Sequence, residues 1–374
     1  MPAGFAINYI YGDGITNFIV NFFAVFPMSG LLGFASDEIG LRIGDTFGDL
    51  LSMTFSNAVQ LITSILLLKG RQIAVLQTSL IGGMVSSMLL MLGVSFVLGG
   101  WGRIEQFYNA TATHTLANLL SLAATSLIVP TTSHLLSGTP DIGITRQSRG
   151  ASVVLLLVYA AYLFFQLITH KEALQRPSPK AELMKSKPED ASKKGIAAIG
   201  RELASGIGGR AVPAYEPDKE ILPELSIVTT LLILVFGTTL LAFNTQFAVN
   251  SIDALSQKTK LSKTFIGFIL LPILNNDIAP VKSATQDKMD RTLNLTLGKC
   301  LQTALFVTPV MVILGWIMHV DEMTLYFDGF EVASLFASVI LINYLVMDAK
   351  STWIQGVLLI ADWVLVALAA FFAP

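Results

Sequence analysis

Apolar runs long enough to cross a membrane recur along the whole chain, separated by short polar stretches. A helix needs about 20 apolar residues to span a hydrocarbon core of roughly 30 Å. On this criterion the pattern predicts ten membrane spans, with approximate bounds 15–35, 50–68, 73–99, 112–136, 151–169, 224–246, 264–283, 292–318, 329–347 and 353–372. Such runs satisfy their backbone polar groups in lipid by forming helices, so the predicted fold class is an all-α membrane protein.

Composition supports a membrane protein and excludes several other classes. Of 374 residues, 53% are hydrophobic and 13% are charged. The net charge of −2, without a clustered basic face, gives no reason to expect a nucleic-acid partner. The four histidines lie far apart without the spacing of metal ligands. We therefore expect the lipid bilayer as a partner, no metal site and no cofactor.

One long polar segment, 170–223, divides the spans into two groups of five. Its many charges and prolines are typical of a solvated linker, which we place in the cytosol. The predicted organisation is a short N-terminal segment 1–14, a first five-span half 15–169, the linker 170–223 and a second five-span half 224–374.

The two halves carry matching polar interruptions inside their second spans. Gly48 precedes Asn57 by nine residues, and Gly267 precedes Asn276 by nine residues. Because each half has five spans, a second copy of the unit inserts upside-down relative to the first. A proline on each side of the second interruption predicts a break in that helix. We expect two inverted five-helix repeats whose broken helices meet at mid-membrane.

The interruptions also carry a family resemblance. They read Phe55-Ser56-Asn57-Ala58-Val59-Gln60 and Pro272-Ile273-Leu274-Asn275-Asn276-Asp277-Ile278-Ala279-Pro280. These segments resemble the paired Gly-Asn-Ala-x-Glu motifs of the CAX calcium/proton exchangers, a branch of the calcium/cation antiporters. Stretches along nearly the whole chain are similar to fungal vacuolar exchangers. The resemblance implies an endomembrane location, in the vacuole or endoplasmic reticulum, and makes segment 1–14 a remnant of the family's first span.

The chain departs from the family pattern where the ion should bind. Gln60 and Ala279 stand at the positions of the two motif glutamates, Ser56 stands for a motif glycine, and Lys299 stands for a serine. Calcium needs several hard oxygen ligands, usually including carboxylates, and a proton antiporter needs a group that titrates. We therefore expect that calcium/proton exchange has been lost.

Polar side chains nevertheless remain around both motifs. On a helix Ser56 and Gln60 are four residues apart and Asn57 and Gln60 three apart, so they share one face. The resemblance places two more side chains at ion-contacting positions. The expected substrate-binding residues are Ser56, Asn57, Gln60, Asn276 and Gln302.

An acid inside the second motif, Asp277, is expected to pair with Lys299. Ionisable groups within a membrane are costly and usually functional. The pair is either an inert filling of the former cation cavity or a catalytic pair in which burial and Lys299 set the protonation of Asp277.

Three functions fit this pattern. The preferred hypothesis is a membrane-embedded enzyme in which Asp277 initiates cyclisation or isomerisation of a lipophilic, prenyl or terpenoid-like substrate in a biosynthetic pathway, and that substrate is then the expected small-molecule partner. The second is a cation/proton antiporter-like transporter with a changed substrate, either a monovalent cation or a neutral solute. The third is a regulatory pseudo-exchanger.

Overall fold

The structure, a computed structural model, is almost entirely helical. It describes residues 2–12, 14–43, 57–137, 140–170, 178, 225–259, 261–276 and 278–372. In chain order the helices are α1 (Pro2–Tyr11), α2 (Ile15–Ile43), α3 (Ala58–Lys69), α4 (Ile73–Gly100), α5 (Ala110–Ser137), α6 (Asp141–Phe164, prolonged by a π-helical turn at Phe165–Thr169), α7 (Ile227–Asn250), α8 (Ile252–Thr259), α9 (Lys263–Leu274), α10 (Ala279–Thr285), α11 (Met289–Ile317), α12 (Gly329–Val346) and α13 (Trp353–Phe372). Two short strands, β1 (Gln106–Phe107) and β2 (Lys350–Ser351), pair antiparallel.

The helices agree closely with the predicted spans. In the described part of the chain, eight helices are long and apolar enough to cross a membrane, and the pair α9 and α10, bent by 53°, makes a ninth. Helix α3 is a shorter apolar helix that overlaps the predicted span 50–68, and residues 44–56 before it lie outside the described residues. The all-α membrane class and the break in the second motif are therefore confirmed.

The predicted division into halves is only partly covered by the described residues. Of the linker 170–223, only His170 and Ser178 are described. The boundaries of the two five-span halves, 15–169 and 224–374, therefore stay predictions.

The N-terminal segment forms α1, which lies against α2 and α7. The Phe5 ring is 5.3 Å from the Phe247 ring, edge to face. Asn17 Nδ2 donates to Asn8 Oδ1 at 3.0 Å and to Ser251 Oγ at 3.2 Å. An aromatic contact with α7 and a side-chain hydrogen bond from α2 thus hold α1 onto the two long helices.

Helices α4 and α11 form the centre of the bundle. In the most apolar stretch of α4 and of α11, 72% and 67% of the residues are buried. The corresponding share in α13 is 17%, so α13 lies at the lipid-facing periphery. The centre is packed closely enough to require glycine at α4. A Cβ atom on Gly82 would lie 2.2 Å from the main-chain oxygen of Phe268 in α9.

The central helices are interrupted by π-helical turns. These lie at Ser86–Met91 in α4, Ile266–Leu270 in α9, and Asn294–Gly298 and Thr303–Val307 in α11. A π turn rotates the side chains that follow it and is often found at functional sites. Their concentration in α4, α9 and α11 therefore indicates a candidate functional site between these helices.

Polar contacts at one end of the bundle connect its loops to the linker. Gln106 Nε2 donates to Asp287 Oδ1 at 2.8 Å. Ser178 Oγ, from the linker, donates to Asp290 Oδ2 at 2.5 Å. Burial, with a smaller contribution from the nearby Asp348 carboxylate, raises the pKa of the Tyr108 phenol in this layer above its usual range. We call this end the linker side.

Candidate functional site

The two motifs meet at the centre of the bundle, where helices start or stop. Helix α3 begins directly after Asn57, and α10 begins at Ala279 a few residues after α9 ends. The main chain at such breaks has N–H or C=O groups that no helix satisfies, so polar side chains and ligands gather there.

The first contact across the two halves joins Asn57 to α11. Asn57 Nδ2 donates to Gln302 Oε1 at 2.6 Å, and Thr303 Oγ1 approaches Asn57 Oδ1 at 3.5 Å. Gln302 Nε2 in turn donates to the Tyr159 hydroxyl at 3.3 Å, which brings α6 into the network. These side chains are almost fully buried, apart from Tyr159 at 8% exposed.

The second contact joins Gln60 to the segment after α9. Gln60 Oε1 accepts a hydrogen bond from Asn275 Nδ2, and Gln60 Nε2 donates to the main-chain oxygen of Ser79 at 3.4 Å. The neighbouring Asn276 Nδ2 donates to Ser86 Oγ at 2.8 Å, at the π turn of α4. Amides from both motifs therefore contact α4.

A buried lysine completes the centre. Lys299, between the two π turns of α11, is 7% exposed, and its Nζ donates to the main-chain oxygen of Asn275 at 2.6 Å. Asn275 thus receives the ammonium at its main chain and donates to Gln60 from its side chain. Its Oδ1 atom is buried with no hydrogen-bond partner among the described residues.

Five of the seven predicted site residues lie together in this centre: Asn57, Gln60, Asn276, Lys299 and Gln302. Ser56 and Asp277 lie outside the described residues, so the pairing of Asp277 with Lys299 stays a prediction. Within the described ranges, no group of three or more His, Cys, Asp or Glu side chains is placed to hold a metal ion.

Sequence reasoning missed Asn275 and Tyr159. Asn275 stands next to Asn276, at the motif position that Ser56 holds in the first half, and this correspondence was a usable signal. Tyr159 gave no signal, because an aromatic residue in an apolar run is typical of any membrane span. Only packing of α6 against α11 places its hydroxyl beside Gln302.

A further buried acid, Glu331, lies outside this centre in the first turn of α12 and is 3% exposed. It follows Asp328 by three residues, and Asp328 Oδ1 accepts from the main-chain N of Phe330 at 2.8 Å. A glutamate three residues after such a cap is typical of a capping box, a pattern that stabilises the start of a helix.

A bundle of membrane helices, with a broken span at the second of two motifs that meet in a buried polar centre, is the architecture of inverted-repeat membrane transporters. The sequence profile of the sodium/calcium exchanger protein family matches residues 14–168 and 229–372. The chain belongs to this family.

Relatives match over the full length of the chain. It is 30% identical to a vacuolar calcium ion transporter of Schizosaccharomyces pombe, covering 100% of this chain and 83% of that protein. It is also 30% identical to a Ca(2+)/H(+) antiporter of Aphanothece halophytica, covering 100% and 95%. An integral membrane protein of an endomembrane was predicted, and this is confirmed, with the vacuole favoured by the relatives' names.

Solved structures share the fold. Native YfkE superposes with a TM-score of 0.77 at 23% identity, covering 100% of this chain and 97% of that one. The H+/Ca2+ exchanger CAX superposes with a TM-score of 0.65 at 10% identity, covering 99% and 89%. The predicted architecture, an exchanger-type helical bundle with broken helices, is thereby confirmed.

These comparisons correct two predictions. The membrane-embedded cyclase or isomerase is wrong, and so is the lipophilic small molecule as its partner, because full-length relatives are named as ion transporters. The physical error was to infer a new reaction and a loss of ion exchange from the residue types at the two expected glutamate positions. In the described centre, the amides hydrogen-bond to one another across the two halves.

Proposed function

We propose that this chain is a cation/proton antiporter-like transporter with a changed substrate, and that the substrate is a monovalent cation. The observation that carries the proposal is the hydrogen bond of 2.6 Å from Lys299 Nζ to Asn275 O. The Asn275 main-chain oxygen, which accepts a hydrogen bond from an ammonium group, matches a ligand that carries one positive charge. Two unit charges 4 Å apart repel by about 4 kcal/mol at an effective dielectric of 20, and a divalent ion would double this cost.

The oxygen atoms of the described centre favour the same substrate class. They belong to amides, hydroxyls and the main chain, which are neutral ligands. We propose that Gln60 and Ala279 replace the two motif glutamates of the family. Calcium would lose two charged ligands by this change, whereas a monovalent cation needs less ligand charge.

Each predicted site residue receives a role in this proposal. Asp277 carries the exchanged proton, and Lys299 limits the positive charge that the centre accepts. The cation is contacted by side-chain oxygens of Ser56, Asn57, Gln60, Asn276 and Gln302, together with Asn275 Oδ1, the buried acceptor that has no partner among the described residues.

A second candidate substrate is calcium itself. It is favoured by the names of the relatives, which include vacuolar calcium ion transporters and Ca(2+)/H(+) antiporters. The two candidates share the fold and the proton coupling, and differ in the charge of the cargo.

Reconstitution distinguishes these candidates. Purified protein in acid-loaded proteoliposomes, with a pH-sensitive dye inside, is exposed in turn to K+, Na+ and Ca2+. We expect K+ or Na+ to release protons and Ca2+ to release few. Proton release by Ca2+ alone would select the second candidate, and no response to any of a panel of mono- and divalent cations would contradict the proposed function.

A matched pair of variants locates the transport at the centre. Asn57→Ala removes the contact with Gln302 and should abolish most of the flux. Asn343→Ala removes a bond of the same kind, 2.9 Å from Asn343 Nδ2 to Ser121 Oγ between α12 and α5, and should leave flux near normal. Equal losses in both variants would place the transport path elsewhere.

A further inference from the structure

A cavity of about 530 Å³ lies at the end of the bundle opposite the linker side. Its walls are the end of α5, the start of α6 and the loop that joins α11 to α12. Its volume falls within the roughly 300–1,000 Å³ of small-molecule sites. No residue of the polar centre around Lys299 lines this cavity, so the cavity is separate from that centre.

Polar contacts from neighbouring helices hold in place the loop that closes this cavity. Gln77 Nε2 of α4 donates to the main-chain oxygens of Thr324 and Tyr326 at 2.9 and 3.0 Å. The main-chain N of Leu325 donates to Ser148 Oγ of α6 at 3.0 Å. The cavity is therefore preformed and does not depend on a ligand to shape its wall.

The cavity lining includes two arginines, one aspartate and one glutamate, and two of these four side chains form an ion pair. Arg149 and Asp321 form an ion pair of 2.5 Å, and the Arg149 guanidinium lies 4.9 Å from the centre of the Trp316 ring. Arg146 and Glu322 line the same space, and neither makes a hydrogen bond or ion pair with any described residue. One positive and one negative group are thus available to a ligand.

The surroundings of the cavity are apolar and face the lipid. Ile142, at the start of α6, is 71% exposed, and Trp316 and Ile317, at the end of α11, are 50% and 67% exposed. Helix ends with an exposed tryptophan are typical of the level of the lipid headgroups. A ligand here would have a charged part in the cavity and an apolar part beside these side chains.

We propose that this cavity binds the headgroup of a phospholipid that carries both a phosphate and a primary ammonium. The phosphate contacts Arg146, whose planar guanidinium suits two phosphate oxygens. The ammonium contacts Glu322. The acyl chains lie along Ile142, Trp316 and Ile317, which explains why the charged cavity opens beside an apolar surface.

Native mass spectrometry of the delipidated full chain, titrated with phosphatidylethanolamine, tests this site. Arg146→Gln should weaken binding about tenfold, the usual scale for a lost charge-assisted hydrogen bond. Glu322→Gln should remove the preference for phosphatidylethanolamine over phosphatidylcholine. Lys258→Gln, which removes an exposed positive charge outside the cavity lining, should bind like the unchanged protein.

Three outcomes would overturn the proposal. The first is equal binding of the lipid by Arg146→Gln and Lys258→Gln. The second is binding of phosphatidylglycerol, which has no ammonium, as tight as that of phosphatidylethanolamine. The third is binding of glycerophosphoethanolamine, the soluble headgroup, as tight as that of the lipid, which would assign the cavity to a soluble ligand. Melting curves of each variant verify that the fold is retained. The lipid-binding measurement does not depend on transport activity.

Discussion

Lys299 Nζ donates a hydrogen bond of 2.6 Å to the main-chain oxygen of Asn275. The bond joins the most enclosed part of α11 to the point where α9 ends. A carbonyl at a helix end has no partner within its own helix, so an ammonium satisfies both groups at once. The same Asn275 reaches Gln60 with its side chain, so one residue connects the cation, the break in the second half and the motif of the first half.

Replacing this lysine should change both stability and ion selectivity. Lys299→Met keeps the length of the side chain but leaves the Asn275 oxygen without its donor, which should cost about 1–3 kcal/mol of unfolding free energy. Removal of the positive charge should also allow Ca2+ to compete with K+ or Na+ in the proteoliposome assay. Lys282→Met, at an exposed position of α10, serves as control. Unchanged selectivity in Lys299→Met would show that the ammonium does not control the cargo.

The contact between Asn57 and Gln302 should be measurable as a coupling between the two halves. In a double-mutant cycle, Asn57→Ala and Gln302→Ala should together cost about 1 kcal/mol less than the sum of the single changes, because the second change loses a bond already broken. Denaturation in graded detergent mixtures supplies the free energies. A cycle of Asn57→Ala with Asn343→Ala is the reference and should be additive. Additivity in both cycles would mean that the 2.6 Å bond contributes nothing to stability.

Much of this fold follows from the length of the apolar runs. Lipid leaves a long apolar segment few alternatives to a helix, so the predicted span 73–99 and the observed helix Ile73–Gly100 nearly coincide. The flanking prolines likewise placed the break after α9. Asn57 and Asn276 each follow a glycine by nine residues, which predicted that they are equivalent. Symmetric halves bring equivalent positions together, and both residues lie in one centre.

The contacts within that centre depend on packing that the sequence does not encode locally. Gln60 and Asn275 are 215 residues apart, and their hydrogen bond requires α3 and α9 to meet at one depth and rotation. The π turn at Asn294–Gly298 in α11 also rotates Lys299 and Gln302 by an amount that a regular helical period does not give. Function was misjudged for a different reason. Even if Gln60 and Ala279 replace the motif glutamates, as proposed above, that change removes ligands and does not specify a new reaction.

The docking of α1 should depend on a single glycine. A Cβ atom on Gly4 would lie 2.4 Å from Asn21 Oδ1 and 2.7 Å from Asn244 Oδ1. Gly4→Ala should therefore push α1 away from α2 and α7, at a cost of about 1–3 kcal/mol, and lower the melting temperature. Gly30→Ala, in α2 with open space around it, should be neutral or slightly stabilising, because alanine favours helix. If both variants melt alike, α1 does not contribute to the stability of the bundle.

Two adjacent glycines of α4 should give opposite results. A Cβ atom on Gly82 would meet the main chain of Phe268 at 2.2 Å, whereas one on Gly83 would meet the Gln60 side-chain oxygen at 3.2 Å. A main chain cannot move without its helix, so Gly82→Ala should cost about 3 kcal/mol or more and reduce the yield of folded protein.

Gly83→Ala should instead fold normally and change transport. Gln60 can shift by a few tenths of an ångström, which lengthens its bond to Asn275 and should alter the apparent cation affinity about fivefold, the equivalent of one hydrogen bond. Melting curves and proteoliposome flux measured on both variants separate the two effects. Normal folding of Gly82→Ala would contradict the close contact of α4 with α9, and unchanged flux in Gly83→Ala would remove Gln60 from the transport site.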